Sequence, residues 1–195
     1  MSILPAIGLI EDFSSRFLSN KNIIYSYNKT GGLEIKSLVV YYSNTGKTKR
    51  VAEKIAKEFD AEIEEIIDTK KRKGLIALPK NILTSVCKKG TVIEKTQKSP
   101  QDYDLIILGT PLWMFGPAPA IRTYMKTNDL TGKYVAFFCT YDFFGAGGMY
   151  TTFVRMAPQA TWVGKILFSK SAIRKIWKAE KRIVRWSETI KSFAV

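Results

Sequence analysis

Residues 37–51, S-L-V-V-Y-Y-S-N-T-G-K-T-K-R-V, constrain this chain more than any other stretch. A short apolar, β-rich run, Leu38 to Tyr42, gives way to a hydroxyl- and glycine-rich loop, Ser43-Asn44-Thr45-Gly46-Lys47-Thr48. Apolar positions then recur at spacings of three and four, Val51, Ala52, Ile55, Ala56 and Phe59, which is the pattern of a helix packed along one face. A strand that turns directly into a helix aims several unsatisfied backbone N–H groups, and the positive end of the helix dipole, at one point. Such a point binds phosphate. Ser43, Thr45 and Thr48 add hydroxyl groups, Gly46 permits close backbone approach and Lys47 adds a positive charge. Simple N-capping is the competing explanation, but a cap requires one such residue rather than three around a glycine.

Two other phosphate motifs fail on spacing. Gly46-Lys47-Thr48 resembles the end of a P-loop, yet G-x-x-x-x-G-K-[ST] needs a glycine where this chain has Tyr41. Gly145-Ala146-Gly147-Gly148 resembles a dinucleotide fingerprint, yet G-x-G-x-x-G needs a glycine where this chain has Tyr150.

The absence of histidine from all 195 residues removes Ser-His-Asp and Cys-His catalysis and histidine-based zinc sites. Cys87 and Cys139 lie far apart without metal-ligand spacing, and Cys139 sits in an apolar run, which predicts a buried free thiol in a reducing compartment. A net charge of +14 favours anionic partners of some kind. No apolar stretch approaches the roughly 20 residues of a membrane span, and no basic region precedes an apolar N-terminal run. A soluble cytoplasmic protein is expected.

Residues 1–36 differ in texture from the rest of the chain and are expected to form an extension packed on the domain. Ile3 to Leu18 suggests a short amphipathic helix, and Ile23 to Tyr27 a strand before the Gly31-Gly32 turn. From 37 to 195 strands and helices alternate. A second strand is predicted at Ala61 to Ile67, with Ile63, Ile66 and Ile67 as its apolar residues, and a helix at Leu75 to Cys87. Leu105-Ile106-Ile107-Leu108 has the unbroken apolar character of a parallel strand buried on both faces, with Pro111 expected to end it. Pro117 and Pro119 are expected to open a helix carrying Ile121, Tyr124 and Met125. Val135 to Cys139 reads as a fourth strand, Met149 to Met156 as a helix, and Trp162 to Phe168 as a fifth strand with Trp162, Ile166 and Phe168 on one face. One long helix, Ser171 to Phe193, is expected to close the chain on a stripe of Ile173, Ile176, Trp177, Ile183, Val184 and Ile190.

This alternation predicts an α/β fold, an open and mostly parallel sheet with helices on both faces, whose ligands bind beyond the carboxyl ends of the strands. Three loops leave those ends: the hydroxyl loop 43–48, the aromatic loop 111–116 and the aromatic-glycine loop 140–148. One phosphate cradle beside Trp113, Phe115, Tyr141, Phe143 and Phe144 suits a ligand with a terminal phosphate and a large flat ring, the shape of flavin mononucleotide (FMN).

With S-N-T-G-K-T after strand one, G-T-P-L-W-M-F-G-P-A-P-A-I-R-T-Y after strand three and V-A-F-F-C-T-Y-D-F-F-G-A-G-G after strand four, the chain resembles the flavodoxin-like family over about residues 37 to 193. The resemblance implies a doubly wound five-stranded parallel sheet in the order 2-1-3-4-5, non-covalent FMN, and electron transfer or flavin-dependent reduction. It implies that Ser43, Asn44, Thr45, Gly46, Lys47 and Thr48 hold the phosphate. Pro111, Leu112, Trp113 and Met114 would flank one side of the flavin, and Thr140, Tyr141, Phe144, Gly145 and Gly148 would form the other wall and the edge. The favoured activity is electron transfer through bound flavin, with an acidic redox partner protein matched to the basic surface. The alternative is an NAD(P)H-dependent quinone or flavin reductase of the same fold. A nucleic-acid-binding module is disfavoured, because the basic residues of the last helix lie largely opposite its apolar stripe.

Overall fold

The computed structural model describes residues 26–27, 33–70, 90–113, 116–142 and 148–192. The helices expected at Ile3 to Leu18 and Leu75 to Cys87 lie outside the described residues, as do Ile23 to Tyr25. Ser26–Tyr27 (β1) and Leu33–Glu34 (β2) pair as a small antiparallel ribbon. The main sheet contains Ser37–Tyr41 (β3), Glu62–Glu65 (β4), Leu105–Trp113 (β5), Tyr134–Tyr141 (β7) and Thr161–Ser169 (β8). Their spatial order is β4-β3-β5-β7-β8 with every neighbouring pair parallel, which is 2-1-3-4-5 counted from β3. Gly116–Pro117 (β6) folds back on the end of β5.

Alternation along the strands sorts their side chains into two cores. Leu38, Val40, Ile106, Leu108, Val135, Phe137 and Cys139 face helices Pro119–Thr127 (α2) and Met149–Met156 (α3). Val39, Tyr41, Leu105, Ile107, Ala136 and Phe138 face Lys47–Phe59 (α1), Lys170–Arg174 (α4) and Ile176–Ser192 (α5). Covering both faces is what permits strands with apolar residues at every position. Val51, Ala52, Ile55, Ala56 and Phe59 are all buried, as their spacing requires, and burial pushes the free Cys139 thiol up to about 12.

Several boundaries differ from the sequence expectation, each for a local reason. Pro111 does not end β5; it pairs in register with Thr140. The Gly109 carbonyl accepts from Tyr42 N–H, so the N–H and C=O groups of alternate residues, 111 included, point toward β3, which has already ended at Tyr41. A proline there sacrifices no ladder bond. Pro117 lies in β6 rather than in the following helix, which starts at Pro119. Thr140 and Tyr141 extend β7 rather than leaving it. Of the apolar residues expected in the second strand only Ile66, just past β4, is buried; Ile63 and Ile67 are exposed, because β4 is the edge strand.

Trp162 faces the opposite core from Ile166 and Phe168. Val135 pairs with Trp162 but Ala136 with Gly164, so Val163 is an extra residue, and this bulge reverses the alternation. The single closing helix is interrupted at Lys175. The buried stripe of α5 is Ala179, Ile183, Trp186 and Ile190, while Trp177 and Val184 lie on its exposed side.

Gly109 sits where β5 passes between Tyr41 and Phe138. A Cβ there would come within 2.2 Å of the Phe138 ring and 2.8 Å of Tyr41 Cβ. Gly109→Ala is therefore expected to destabilise the fold by about 1–3 kcal/mol through overpacking. An unchanged urea midpoint would show that Phe138 does not lie across the glycine.

Candidate functional site

The carboxyl ends of β3, β5 and β7 bring the three loops together. At the first, Gly46 is the N-cap of α1 in the left-handed region, with φ +77°, and, being a glycine, offers no side chain to the helix end. A Cβ added to Gly46 would meet nothing within 4 Å, so the glycine serves the backbone turn and faces open space. Asn44 and Thr45 are exposed and Ser43 is half-buried.

The first turn of α1 contains no acidic residue and instead reads Lys47-Thr48-Lys49-Arg50. Cations at a helix N-terminus oppose the dipole, so this order is unfavourable for the helix taken alone. It suits a helix end that receives an anion from elsewhere. Two carboxylates from other elements partly meet the charge. Lys47 Nζ lies 2.6 Å from Asp142 Oδ1, and Lys49 Nζ lies 3.1 Å from Glu65 Oε2. Glu65 also accepts from the Tyr41 hydroxyl at 2.8 Å; burial, then this bond, pushes the Tyr41 pKa up.

The expected phosphate residues divide by role. Ser43 Oγ accepts from Lys49 N–H at 3.2 Å and so braces the helix. Thr48 is buried, and its hydroxyl bonds that of Thr140, also buried, at 2.8 Å. That pair ties the start of α1 to the end of β7, which makes Thr48 and Thr140 structural contacts between the loops. Asn44, Thr45 and Gly46 remain as the exposed residues of the loop, and the Lys49 amide is already taken by Ser43.

The second loop contributes Pro111, Leu112 and Trp113, all half-buried. The Trp113 ring meets Tyr42 edge-on, with centroids 6.0 Å apart at 85°, linking this loop to the first. Thr110 Oγ1 accepts from Ala118 N–H at 3.0 Å, holding the start of α2 against β5. At the third loop Tyr141 is half-buried and pairs in register with Ser169, and Gly148 is exposed with open space at its Cβ position. Met114, Phe144 and Gly145 lie outside the described residues, as do Phe115 and Phe143.

Sequence reasoning missed Tyr42, Thr110 and Asp142. Asp142 carried a usable signal, since it is the one charged residue in 140–148 as Lys47 is in 43–48. The exposed residues of the first loop, the room at Gly46 and Gly148, and the aromatic side chains beyond β5 and β7 fit a phosphate monoester attached to a flat ring.

The flavodoxin family model matches residues 36–189. No curated protein sequence matches the chain. Among solved structures, a candidate flavoprotein from Bacteroides uniformis is 24% identical with a TM-score of 0.67, over 78% of this chain and 97% of the other. A flavoprotein from Lactobacillus acidophilus in complex with FMN is 26% identical with a TM-score of 0.57, over 72% and 97%. A WrbA-like flavodoxin from Agrobacterium tumefaciens is 18% identical with a TM-score of 0.54, over 82% and 99%, and shows the shared fold alone.

The hydroxyl pair gives a direct stability test. Thr48→Val or Thr140→Val leaves a buried hydroxyl without its partner and is expected to cost about 1–3 kcal/mol. The double variant should cost less than the sum, since neither hydroxyl is then stranded. Strict additivity in urea unfolding would mean that the two do not bond.

Proposed function

Because the chain belongs to the flavodoxin family, we propose that it binds FMN at the carboxyl edge of its sheet and carries electrons through it. The observation that supports this most is the basic, carboxylate-free first turn of α1 behind a left-handed glycine, set beside aromatic residues at the ends of the neighbouring strands. Asn44, Thr45, Gly46 and the amides of Lys47 and Thr48 would hold the phosphate, with Lys47 adding charge. Pro111, Leu112 and Trp113 would flank the ring on the β5 side, and Tyr141 and Gly148 on the β7 side. One- and two-electron redox chemistry would be supplied by the isoalloxazine ring when bound. The protein's part is to bind and orient that ring, to keep water from it with Trp113 and Leu112, and to set its potential by electron-rich aromatic faces. No side chain need act as acid or base. An NAD(P)H-dependent reductase is the second reading, suggested by the basic surface, and steady-state NAD(P)H oxidation separates it from a carrier.

Among the described residues no helix is long and apolar enough to cross a membrane. We place the protein in the cytoplasm, in line with the buried free thiol of Cys139.

Its redox partner is proposed to be an acidic protein. Lys170, Arg174, Lys175, Lys178, Lys181 and Arg185 are exposed along α4 and α5, where Glu180 is already engaged by Lys54 at 2.7 Å. Trp177, 55% exposed, has the ammonium groups of Lys178 and Lys181 over its ring, 5.1 and 6.0 Å from the centroid. This face starts directly after Ser169, the register partner of Tyr141, and so adjoins the proposed flavin site. An exposed tryptophan within a charged rim is the composition of an interface anchor.

Two outcomes are expected. Thr45→Ala should weaken FMN binding by about tenfold, one lost hydrogen bond to a charged group, and leave riboflavin, which lacks the phosphate, nearly unaffected. Equal losses for both ligands would move the phosphate elsewhere. Electron transfer to an acidic acceptor protein should slow by about tenfold or more between low and physiological ionic strength, and Trp177→Ala should slow it further. A rate indifferent to salt would remove steering by the basic face.

A further inference from the structure

The Lys47–Asp142 pair joins the loop proposed for the phosphate to the loop proposed for the ring, and its carboxylate is not explained by the proposed FMN site alone. Lys47 is the first residue of α1, and Asp142 follows the last residue of β7. Their side chains meet at 2.6 Å while 33% and 45% exposed, so the pair lies at the mouth of the site rather than in the core. Nothing structural requires an acid there. The buried Thr48–Thr140 bond already ties the same two segments together, a single residue farther along from Lys47 and two residues before Asp142, at 2.8 Å. A carboxylate placed beside an anion cradle also acts against it, because it occupies the loop's one lysine and repels an incoming dianion.

We propose that Asp142 competes with the ligand's phosphate for Lys47 and so sets how strongly the site prefers a phosphorylated flavin over an unphosphorylated one. This rests on the FMN reading of the site. While Lys47 is held by Asp142, the phosphate is met mainly by hydroxyls and backbone amides. When phosphate enters, the lysine exchanges one oxygen partner for another and Asp142 returns to solvent. Exposed pairs of this kind are weak, so the exchange is easily reversed. The neighbouring Lys49 does not substitute for Lys47, since Glu65 engages it and Glu65 is itself fixed by the buried Tyr41 hydroxyl. The acid is thus a specificity-determining residue that acts through Lys47 on the phosphate alone.

The test is equilibrium binding of FMN and of riboflavin to the apoprotein, followed by flavin fluorescence, for wild type, Asp142→Asn, Lys47→Met and the double variant. Asp142→Asn is expected to tighten FMN binding by about three- to tenfold at low ionic strength, leave riboflavin binding within about twofold, and lose most of its advantage at high salt. In the Lys47→Met background the same substitution should give a markedly smaller gain, because no lysine is released. The proposal is overturned if Asp142→Asn leaves FMN affinity unchanged or weakens it, or if FMN and riboflavin shift in parallel, which would make Asp142 a prop for the ring loop. Wild-type protein that binds neither ligand would instead remove the FMN reading itself. Urea unfolding of each variant identifies any loss of affinity that comes from misfolding.

Discussion

Leu38, Val39 and Val40 are buried on both faces of β3, between α2 and α3 on one side and α1 and α5 on the other. A strand with no solvent face must lie inside the sheet, and its carboxyl end must open at the sheet edge. The chain then has only Tyr42 to Gly46 in which to turn before α1 begins. The positive end of that helix is therefore held at the same edge as the ends of β5 and β7. The candidate site is a consequence of this burial: once β3 is covered on both faces, the N-terminal end of α1 and the aromatic ends of its neighbours are adjacent.

The electrostatics of that edge are arranged across elements rather than within one. In the first turn of α1 the chain places lysines and an arginine where a helix prefers acids. The counter-charges arrive from the end of β4, through Glu65, and from beyond β7, through Asp142. A helix end that served only the fold would more simply have carried its own acid. Carboxylates borrowed from other elements leave the first turn of α1 itself without an acid, as the proposed phosphate site would require.

Much of this is legible in the sequence, and where it is not the reasons are physical. The two-sided strands announce themselves as unbroken apolar runs, and the turn of α1 as three hydroxyl residues around a glycine. Long-range facts are hidden. That β3 ends before Pro111, which frees the proline to stay in β5, depends on where a neighbouring strand stops. The bulge at Val163 reverses the faces of Trp162 and Ile166, and Gly164 beside it is too weak a mark to specify one. Trp177 and Trp186 are nine residues apart on α5 and so on opposite faces of the helix, and the composition around them does not say which face is buried. At the site the three loops can be named from the sequence, but the role of Thr48 cannot, because its bond to Thr140 joins positions 92 residues apart. Asp142 is masked by the aromatics on either side of it.

The central claim is that loops leaving β3, β5 and β7 form one site for a phosphorylated flavin. Titration of FMN with apoprotein, followed by flavin fluorescence, tests it most directly. Saturable, one-to-one binding is predicted, with strong quenching as the ring enters its aromatic surroundings. Emission that stays at the free-flavin level across a large excess of folded protein would contradict it.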